Sequence, residues 1–333
     1  MMDSQFKSTS PASLLEINRL GKFSGQFLAE NELLIKEIEQ ALLPFRFRAS
    51  STQEAIVVEG DQVALKLVSK ILDEYIEERT GHTQLDSAKT SAIISTVVEY
   101  ALKHELTLHL EGLQHPLRPM SLSQCAFLER LLSRGERLVF GIGPTSTGKT
   151  HLAIAAALNQ LLSGEVNRII VSRPHIVMKG EIVTPAIRAD MEWDDQFEYL
   201  EDVFSELIGI DRFNELIEGR KLVLMPLGHM RGRTFNDSII IIDEAQNMTI
   251  RKMRMAVTRI GRGSRMILTG DPTQVELLGD EPPGLAHILE LLRGSEIATI
   301  HHFDGSKIVR NEIVAKLEQL YSKDAEINPT ITT

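Results

Sequence analysis

The spacing of apolar positions changes character near residue 121. Before it, residues 28–43 carry apolar side chains at helical spacing. Phe45-Arg-Phe-Arg-Ala49 alternates apolar and polar, the pattern of a half-buried strand, and Glu54-Ala-Ile-Val-Val-Glu59 predicts a second strand closed by Gly60-Asp61. Over 63–78 the residues Val63, Leu65, Leu67, Val68, Ile71, Leu72 and Ile76 fall on one side of a helix. Residues 25–80 therefore predict a small α+β module, with 1–24, rich in Ser, Gln and Gly, as a flexible lead-in. Residues 81–120 read as linker and helix: polar over 80–90, helical over 92–105, then a short strand at 106–110.

From residue 121 strands alternate with helices. Strands are expected at 137–141, 168–172, 222–225, 239–242, 266–269 and 297–303. The run 239–242 is apolar without alternation, as in a strand covered on both faces of a parallel sheet. The expectation is an α/β domain over 121–322, with helices on both faces of its sheet, and a tail at 323–333. No repeat of solenoid length is present.

Composition narrows this only slightly. The 333 residues leave room for two domains, and the 43% apolar and 25% charged fractions are those of a globular chain. A net charge of −10 excludes a uniformly basic coat for nucleic acid, but not a local basic patch. Cys125 is the single cysteine, so no intramolecular disulfide forms. With no His/Asn arrangement beside it, it reads as a buried or helical residue, not a nucleophile. Residues 1–13 have no apolar core of signal-peptide type, and the longest apolar run, 152–158, is far too short for a bilayer. A cytoplasmic protein without membrane spans is the expectation.

Chemistry enters at Gly143-Pro144-Thr145-Ser146-Thr147-Gly148-Lys149-Thr150, a full match to G-x-x-x-x-G-K-[ST]. The match follows an apolar strand and opens an Ala/Leu-rich helix. Loop N–H groups and the helix N-terminus there face phosphates. Lys149 is placed to reach the β- and γ-phosphates of ATP, and the Thr150 hydroxyl to ligate Mg²⁺. A dinucleotide fingerprint fails, because position 146 is not glycine.

Downstream, Asp243 and Glu244 end the apolar strand 239–242. Asp243 is the candidate second Mg²⁺ ligand, and Glu244 the candidate that polarises the attacking water. Gln246 extends this to Asp-Glu-Ala-Gln. Another strand ends in Gly270-Asp-Pro-Thr-Gln274, where Gln274 is a candidate sensor of the γ-phosphate or orienter of water. Gln124, upstream, is a candidate for the adenine edge, since an amide both donates and accepts.

Together these residues resemble the PhoH-like family, relatives of superfamily 1 helicases. The resemblance is carried by Gly143 to Thr150, Met230-Arg-Gly-Arg-Thr-Phe-Asn236, Ile241-Ile-Asp-Glu-Ala-Gln246, Thr258-Arg-Ile-Gly261, Thr269-Gly-Asp-Pro-Thr-Gln274 and Ile308-Val-Arg310, in order over about 121–320. The N-terminal module is similar in layout to the KH-like unit that often precedes this ATPase, without the family's Arg-Gly-Asn. Thr145-Ser146 stands where Ala-Gly is usual, so one loop glycine is lost. The segment after Ser172-Arg173-Pro174 keeps Gly180-Glu181 but lacks the family's Leu-Gly-Phe-Leu-Pro-Gly run, and Asn311-Glu312 replaces His-Pro.

The resemblance implies a single RecA-like P-loop domain that hydrolyses ATP and acts on or alongside RNA, in remodelling or in support of RNA processing, with a protein partner there. A helicase of this superfamily holds nucleotide between two RecA-like domains, whereas this chain has room for one. An arginine finger would then come from a neighbouring copy, which argues for a homo-oligomeric ring, a hexamer among the options. Arg310 leads as the finger, Arg231 and Arg233 are rivals, and Arg173 is a candidate sensor or nucleic-acid contact.

Charge clusters suggest partners. Arg251, Lys252, Arg254, Arg259, Arg262 and Arg265 are six bases in fifteen residues, a candidate patch for single-stranded RNA against an ordinary solvated helix face. Residues 190–206 hold eight acids and the lone Trp193, a candidate protein contact or another solvated face. His301-His302 lack a third ligand and read as strand residues. Two further readings compete with the RNA-linked ATPase. One is a protein-interaction switch set by nucleotide state; the other, a small-molecule kinase, is disfavoured by Glu244.

Overall fold

The computed structural model describes residues 13–17, 32–51, 56–78, 85–174, 195–277, 281–303 and 320. Its N-terminal part is built from β1 (Ser13–Ile17), α1 (Glu32–Ala41), β2 (Phe47–Ser51), β3 (Ile56–Gly60), α2 (Gln62–Glu78) and α3 (Ser87–His104). The three strands form an antiparallel sheet in the order β1-β3-β2. Strand β1 corrects the expected lead-in at that point. Ser13 to Ile17 pair along the edge of β3 that β2 leaves open, from Ser13 opposite Gly60 to Ile17 opposite Ile56.

Helix α3 also starts earlier than its apolar spacing suggested. Asp86 caps it, accepting from Lys89 N at 2.8 Å. Its Ile94, Val97 and Ala101 pack into the module's core with Leu67, Ile71 and Tyr75. The strand expected at 106–110 reduces to one antiparallel bridge, Leu108 with Leu117, before the chain turns at Gly112.

The larger part comprises α4 (Leu122–Leu132), β4 (Leu138–Ile142), α5 (Lys149–Leu162), β5 (Arg168–Arg173), α6 (Asp195–Ile208), α7 (Ile210–Glu218), β6 (Leu222–Pro226), β7 (Ser238–Ile242), α8 (Ile250–Val257), β8 (Arg265–Gly270), α9 (Gly284–Leu291) and β9 (Thr299–His302). Six parallel strands lie in the order β6-β5-β7-β8-β4-β9. Alternation sends Val139, Ile169, Val171, Ile239, Ile241 and Ile267 to one face, under Phe127, Ile154, Leu158, Phe204 and Phe213. The other face receives Phe140, Ile142, Ile170, Ile240, Ile242, Met266 and Leu268, under Met253, Ala256 and Leu285. Both faces are covered, which is why 239–242 reads as an unbroken apolar run. Strand β8 lies between β4 and β7, so the strand that enters the phosphate loop and the strand that ends in the acids are one strand apart. This is a single RecA-like P-loop domain.

Helix α4 joins the two parts. Cys125 and Ala126 belong to the module's core, and Phe127, Leu128 and Leu131 to the sheet's. Polar clasps flank the seam: Gln62 N donates to Glu129 Oε1 at 2.6 Å, Arg130 Nη2 donates to Pro44 O at 2.8 Å, and Arg46 pairs with Glu136 at 3.1 Å. Among the described residues no helix is long and apolar enough to cross a membrane.

Candidate functional site

The C-terminal ends of β4, β7 and β8 bring three sequence motifs together. The loop after β4 is held to β8 by Gly143 N donating to Gly270 O at 3.1 Å. Gly148 caps α5 at φ +84°, a left-handed conformation, and a Cβ there would lie 2.9 Å from Gln124 Nε2. Ser146 also sits left-handed, at φ +65°. Serine here holds a backbone conformation that disfavours a Cβ by about 1–2 kcal/mol.

Lys149 is buried, and its Nζ folds back onto the loop, donating to Gly143 O at 2.7 Å and to Thr147 Oγ1 at 3.3 Å. Burial lowers its pKa, and the charges of Asp271, Glu244 and Asp243 oppose that shift. The ammonium thus lies in the cradle where phosphate oxygens would replace the loop carbonyls.

Thr150 Oγ1 donates to Asp243 Oδ1 at 2.7 Å, so helix α5 and strand β7 meet at the predicted Mg²⁺ ligands. Thr269 Oγ1, from β8, donates to the same oxygen at 2.7 Å. Asp243 is 2% exposed, and its Oδ2 is buried without a hydrogen-bond partner. A desolvated carboxylate oxygen with free lone pairs beside a phosphate loop is the donor a hard cation requires. Among the described residues no group of three or more His, Cys, Asp or Glu side chains could itself hold a metal ion.

Glu244 follows at φ +53°, another left-handed non-glycine. Burial raises its pKa, and the Asp243 charge adds to that. Three groups oppose the rise: Gln246 Nε2 donates to Glu244 Oε2 at 2.5 Å, Arg173 Nη2 stands 3.5 Å from Oε1, and Lys149 acts at longer range. Gln246 also accepts from Asp271 N at 3.0 Å, which ties Glu244 to the end of β8.

Gln246, Thr269 and Arg173 therefore orient the acid pair. Gln246 had a signal, its place two residues after Glu244; Thr269 had none, because its role depends on β8 lying beside β7. Gln274 meets the loop, its Oε1 accepting from Thr145 Oγ1 at 2.8 Å. Gln124 is 5% exposed and braces the loop: its Nε2 donates to Thr147 O at 3.0 Å, and its Oε1 accepts from Met120 N at 2.7 Å. Arg310, Trp193 and the acids at 190–194 lie outside the described residues.

The basic cluster at 251–265 needs a correction. Arg251, Lys252, Arg254 and Arg262 are exposed, and Arg259 is half-buried. Arg265 is buried at 7% exposure, bonded to Gln160 Oε1 at 3.3 Å and to Arg130 O at 3.2 Å; Leu131 O also accepts from it. It caps the carbonyl end of α4 from inside the core, with its pKa pulled down to about 10 by burial, and cannot serve a surface patch. On α6 the acids Glu198, Glu201, Asp202 and Glu206 form an exposed face opposite Phe197, Leu200, Val203 and Phe204.

His301 and His302 lie in β9, as expected. The buried His301 ring sits 2.9 Å from Ser123 Oγ and beside Arg130, its pKa pushed down to about 3 by burial and then by the Arg130 charge. It is a neutral wedge between α4 and β9. Cys125 is buried in α4, as expected.

The family model described as PhoH-like protein matches residues 116–322. A PhoH-like protein of Bacillus subtilis (strain 168) is 32% identical over 281 residues, 81% of this chain and 86% of that one. A PhoH-like protein of Mycobacterium tuberculosis (strain H37Rv) is 32% identical over 210 residues, 63% of this chain and 59% of that one. Protein PhoH of Escherichia coli (strain K12) is 30% identical over 211 residues, 62% and 58% of the two chains. Among solved structures, the Sulfolobus solfataricus SWI2/SNF2 ATPase core in complex with dsDNA aligns at 18% identity with a TM-score of 0.35, covering 50% of this chain and 34% of that one.

Proposed function

The chain belongs to the PhoH-like family, and from that premise we propose that it binds ATP with Mg²⁺ and hydrolyses it. The observation that carries this is Asp243. A buried carboxylate that holds Thr150 through one oxygen and leaves the other unpartnered is a seat for a cation, one strand from a full phosphate loop.

The loop amides and Lys149 hold the phosphates, with Lys149 exchanging its loop carbonyls for phosphate oxygens. Bound Mg²⁺ would neutralise charge on the phosphate oxygens. Glu244 accepts a hydrogen bond from the attacking water, which adds in line to the γ-phosphorus as the bond to the leaving diphosphate oxygen breaks. Burial raises the basicity of Glu244, while Gln246 and Arg173 fix its direction. Gln274, against Thr145, reports whether a γ-phosphate fills the loop. Arg310 of a neighbouring copy completes the cleft in a ring-shaped homo-oligomer.

The partner we propose is RNA, supported by the family resemblance and the exposed bases around α8. The competing reading, a protein-interaction switch, draws on the exposed acidic face of α6.

The test is ATP turnover by the full chain beside Glu244→Gln and Lys149→Ala, with and without single-stranded RNA. Glu244→Gln should lower kcat by about 10²–10⁴ with ATP still bound. Lys149→Ala should lose ATP binding. Turnover by Glu244→Gln at the wild-type rate would remove the water-activating role.

A further inference from the structure

Two motifs of the sequence have no part in the nucleotide cleft: Arg231-Gly-Arg-Thr-Phe-Asn236 and Thr258-Arg-Ile-Gly261. The fold places them together. Phe235 N donates to Arg259 O at 3.0 Å, Gly261 N to Phe235 O at 2.7 Å, and Asp237 N to Arg262 O at 2.8 Å. Asn236 Oδ1 accepts from Arg262 N at 2.9 Å, and a Cβ on Gly261 would lie 2.2 Å from both Asn236 Oδ1 and Phe235 O. The glycine lets the two segments close into a stiff parallel ribbon.

Beside the ribbon runs an open groove of about 580 Å³ lined by Arg137, Thr234, Asn236, Ile260, Gly261 and Arg262. Arg137 is held in place by the carbonyls of Gly261 and Ser264, each 3.2 Å from its Nη2. Arg262 is exposed, as are Arg231 and Arg233 on the same ribbon, and none of these three forms an ion pair with a described residue. The one acid of the ribbon, Asp237, sits against Gly263, where a Cβ would be 2.2 Å from its Oδ1. The ribbon's aromatic, Phe235, is buried, which leaves no stacking platform along it.

We propose that this groove binds the phosphodiester backbone of single-stranded RNA, without reading its bases. The proposal rests on the RNA-linked reading above and gives it a location. Three features favour a polymer over a single small anion. The groove is open, its cations are spread along a ribbon, and the exposed Arg251, Lys252 and Arg254 of α8 lie just before the second segment in the chain. Arginines fixed on rigid backbone and supplemented by an amide and a hydroxyl suit phosphate oxygens.

The groove lies at the N-terminal ends of β7 and β8, opposite the phosphate loop, so RNA and ATP do not compete for space. The same two strands run from the groove to Asp243 and Asp271.

The experiment is fluorescence anisotropy of a labelled oligouridine with the full chain over rising KCl, beside nucleotide-free and RNA-free controls. Arg262→Glu should weaken binding at least several-fold, and Arg137→Ala should reduce the slope of log affinity against log salt by about 0.7 for each phosphate that the variant no longer neutralises. Both variants should keep the wild-type rate of RNA-free ATP turnover. A photoreactive oligouridine should cross-link to peptides spanning 231–237 and 258–263, a readout that does not depend on any variant folding. If the wild type binds RNA and both variants match its affinity and salt slope, the groove is wrong and the RNA-linked reading survives. If the wild type turns over ATP yet retains no RNA, the groove and the RNA link fall together, while the ATPase stands. Equal retention of polyglutamate and oligouridine by the wild type would make the groove a general polyanion site with no preference for a phosphodiester backbone and overturn the proposal.

Discussion

Glu129→Gln should make the protein more stable above neutral pH and less pH-dependent below it. Glu129 reaches from α4 to the first turn of α2, where Gln62 N donates to it at 2.6 Å. The amides of Gln62 and Val63 and the Arg130 guanidinium favour its ionised form. Burial and the nearby Asp61 charge oppose them and win, pushing the carboxyl from 4.5 to about 7. Its Oε2 is buried and has no hydrogen-bond partner, so the ionised form is only partly stabilised.

The sign follows from proton counting. Between pH 4.5 and about 7 the folded state holds a proton that the unfolded state has released. The stability this contributes is complete below the unfolded pKa and is lost as pH rises through the folded one. A shift from 4.5 to about 7, at about 1.36 kcal/mol per unit, makes that loss about 3 kcal/mol. Glutamine keeps an oxygen for Gln62 N and does not titrate. Urea unfolding of both proteins, followed by far-ultraviolet circular dichroism from pH 4.5 to 8, measures the effect. The difference between the two stabilities cancels the other titrating groups and should swing by about 3 kcal/mol in favour of the variant. A difference that stays flat across the window would show that Glu129 is not buried against α2 as described.

Other outcomes follow from single interactions. Asp243→Asn should leave metal-free ATP binding intact and abolish its enhancement by Mg²⁺, read by titrating Mg²⁺ against a fluorescent ATP analogue; unchanged enhancement would move the cation elsewhere. Gln124→Ala removes the brace on Thr147 O, worth about 1 kcal/mol, and should weaken ATP and GTP alike by roughly fivefold. A weakening confined to ATP would instead place Gln124 on the adenine edge. Cys125, 4% exposed and with its thiol pushed up to about 12, should react with Ellman's reagent only as fast as the protein unfolds. Prompt labelling in native buffer would contradict the packing of α4 into the module.

What the chain revealed in advance, and what it hid, divides by how local each interaction is. The phosphate loop and the Asp243-Glu244 pair were legible because their chemistry is written in adjacent residues at strand ends. The central strands of the sheet were legible because burial on both faces leaves unbroken apolar runs such as 239–242. Strand β1 was not, since its five residues become a strand only against the open edge of β3. Arg265 was counted with a surface patch because charge counting carries no direction; as the first residue of β8 its side chain turns under α4 and caps that helix instead.

Helix α4 shows the same limit from the other side. Cys125, Ala126, Phe127 and Leu128 are four consecutive buried apolar residues, more than one turn of helix, so the apolar surface of α4 faces more than one side. The sheet's core takes Phe127, Leu128 and Leu131, and the N-terminal module covers the other side through Cys125 and Ala126. Gln124, the residue just before that run, holds Thr147 of the phosphate loop, and Glu129, just after it, holds the first turn of α2. The helix that two cores share therefore ties the module's position to the shape of the phosphate loop.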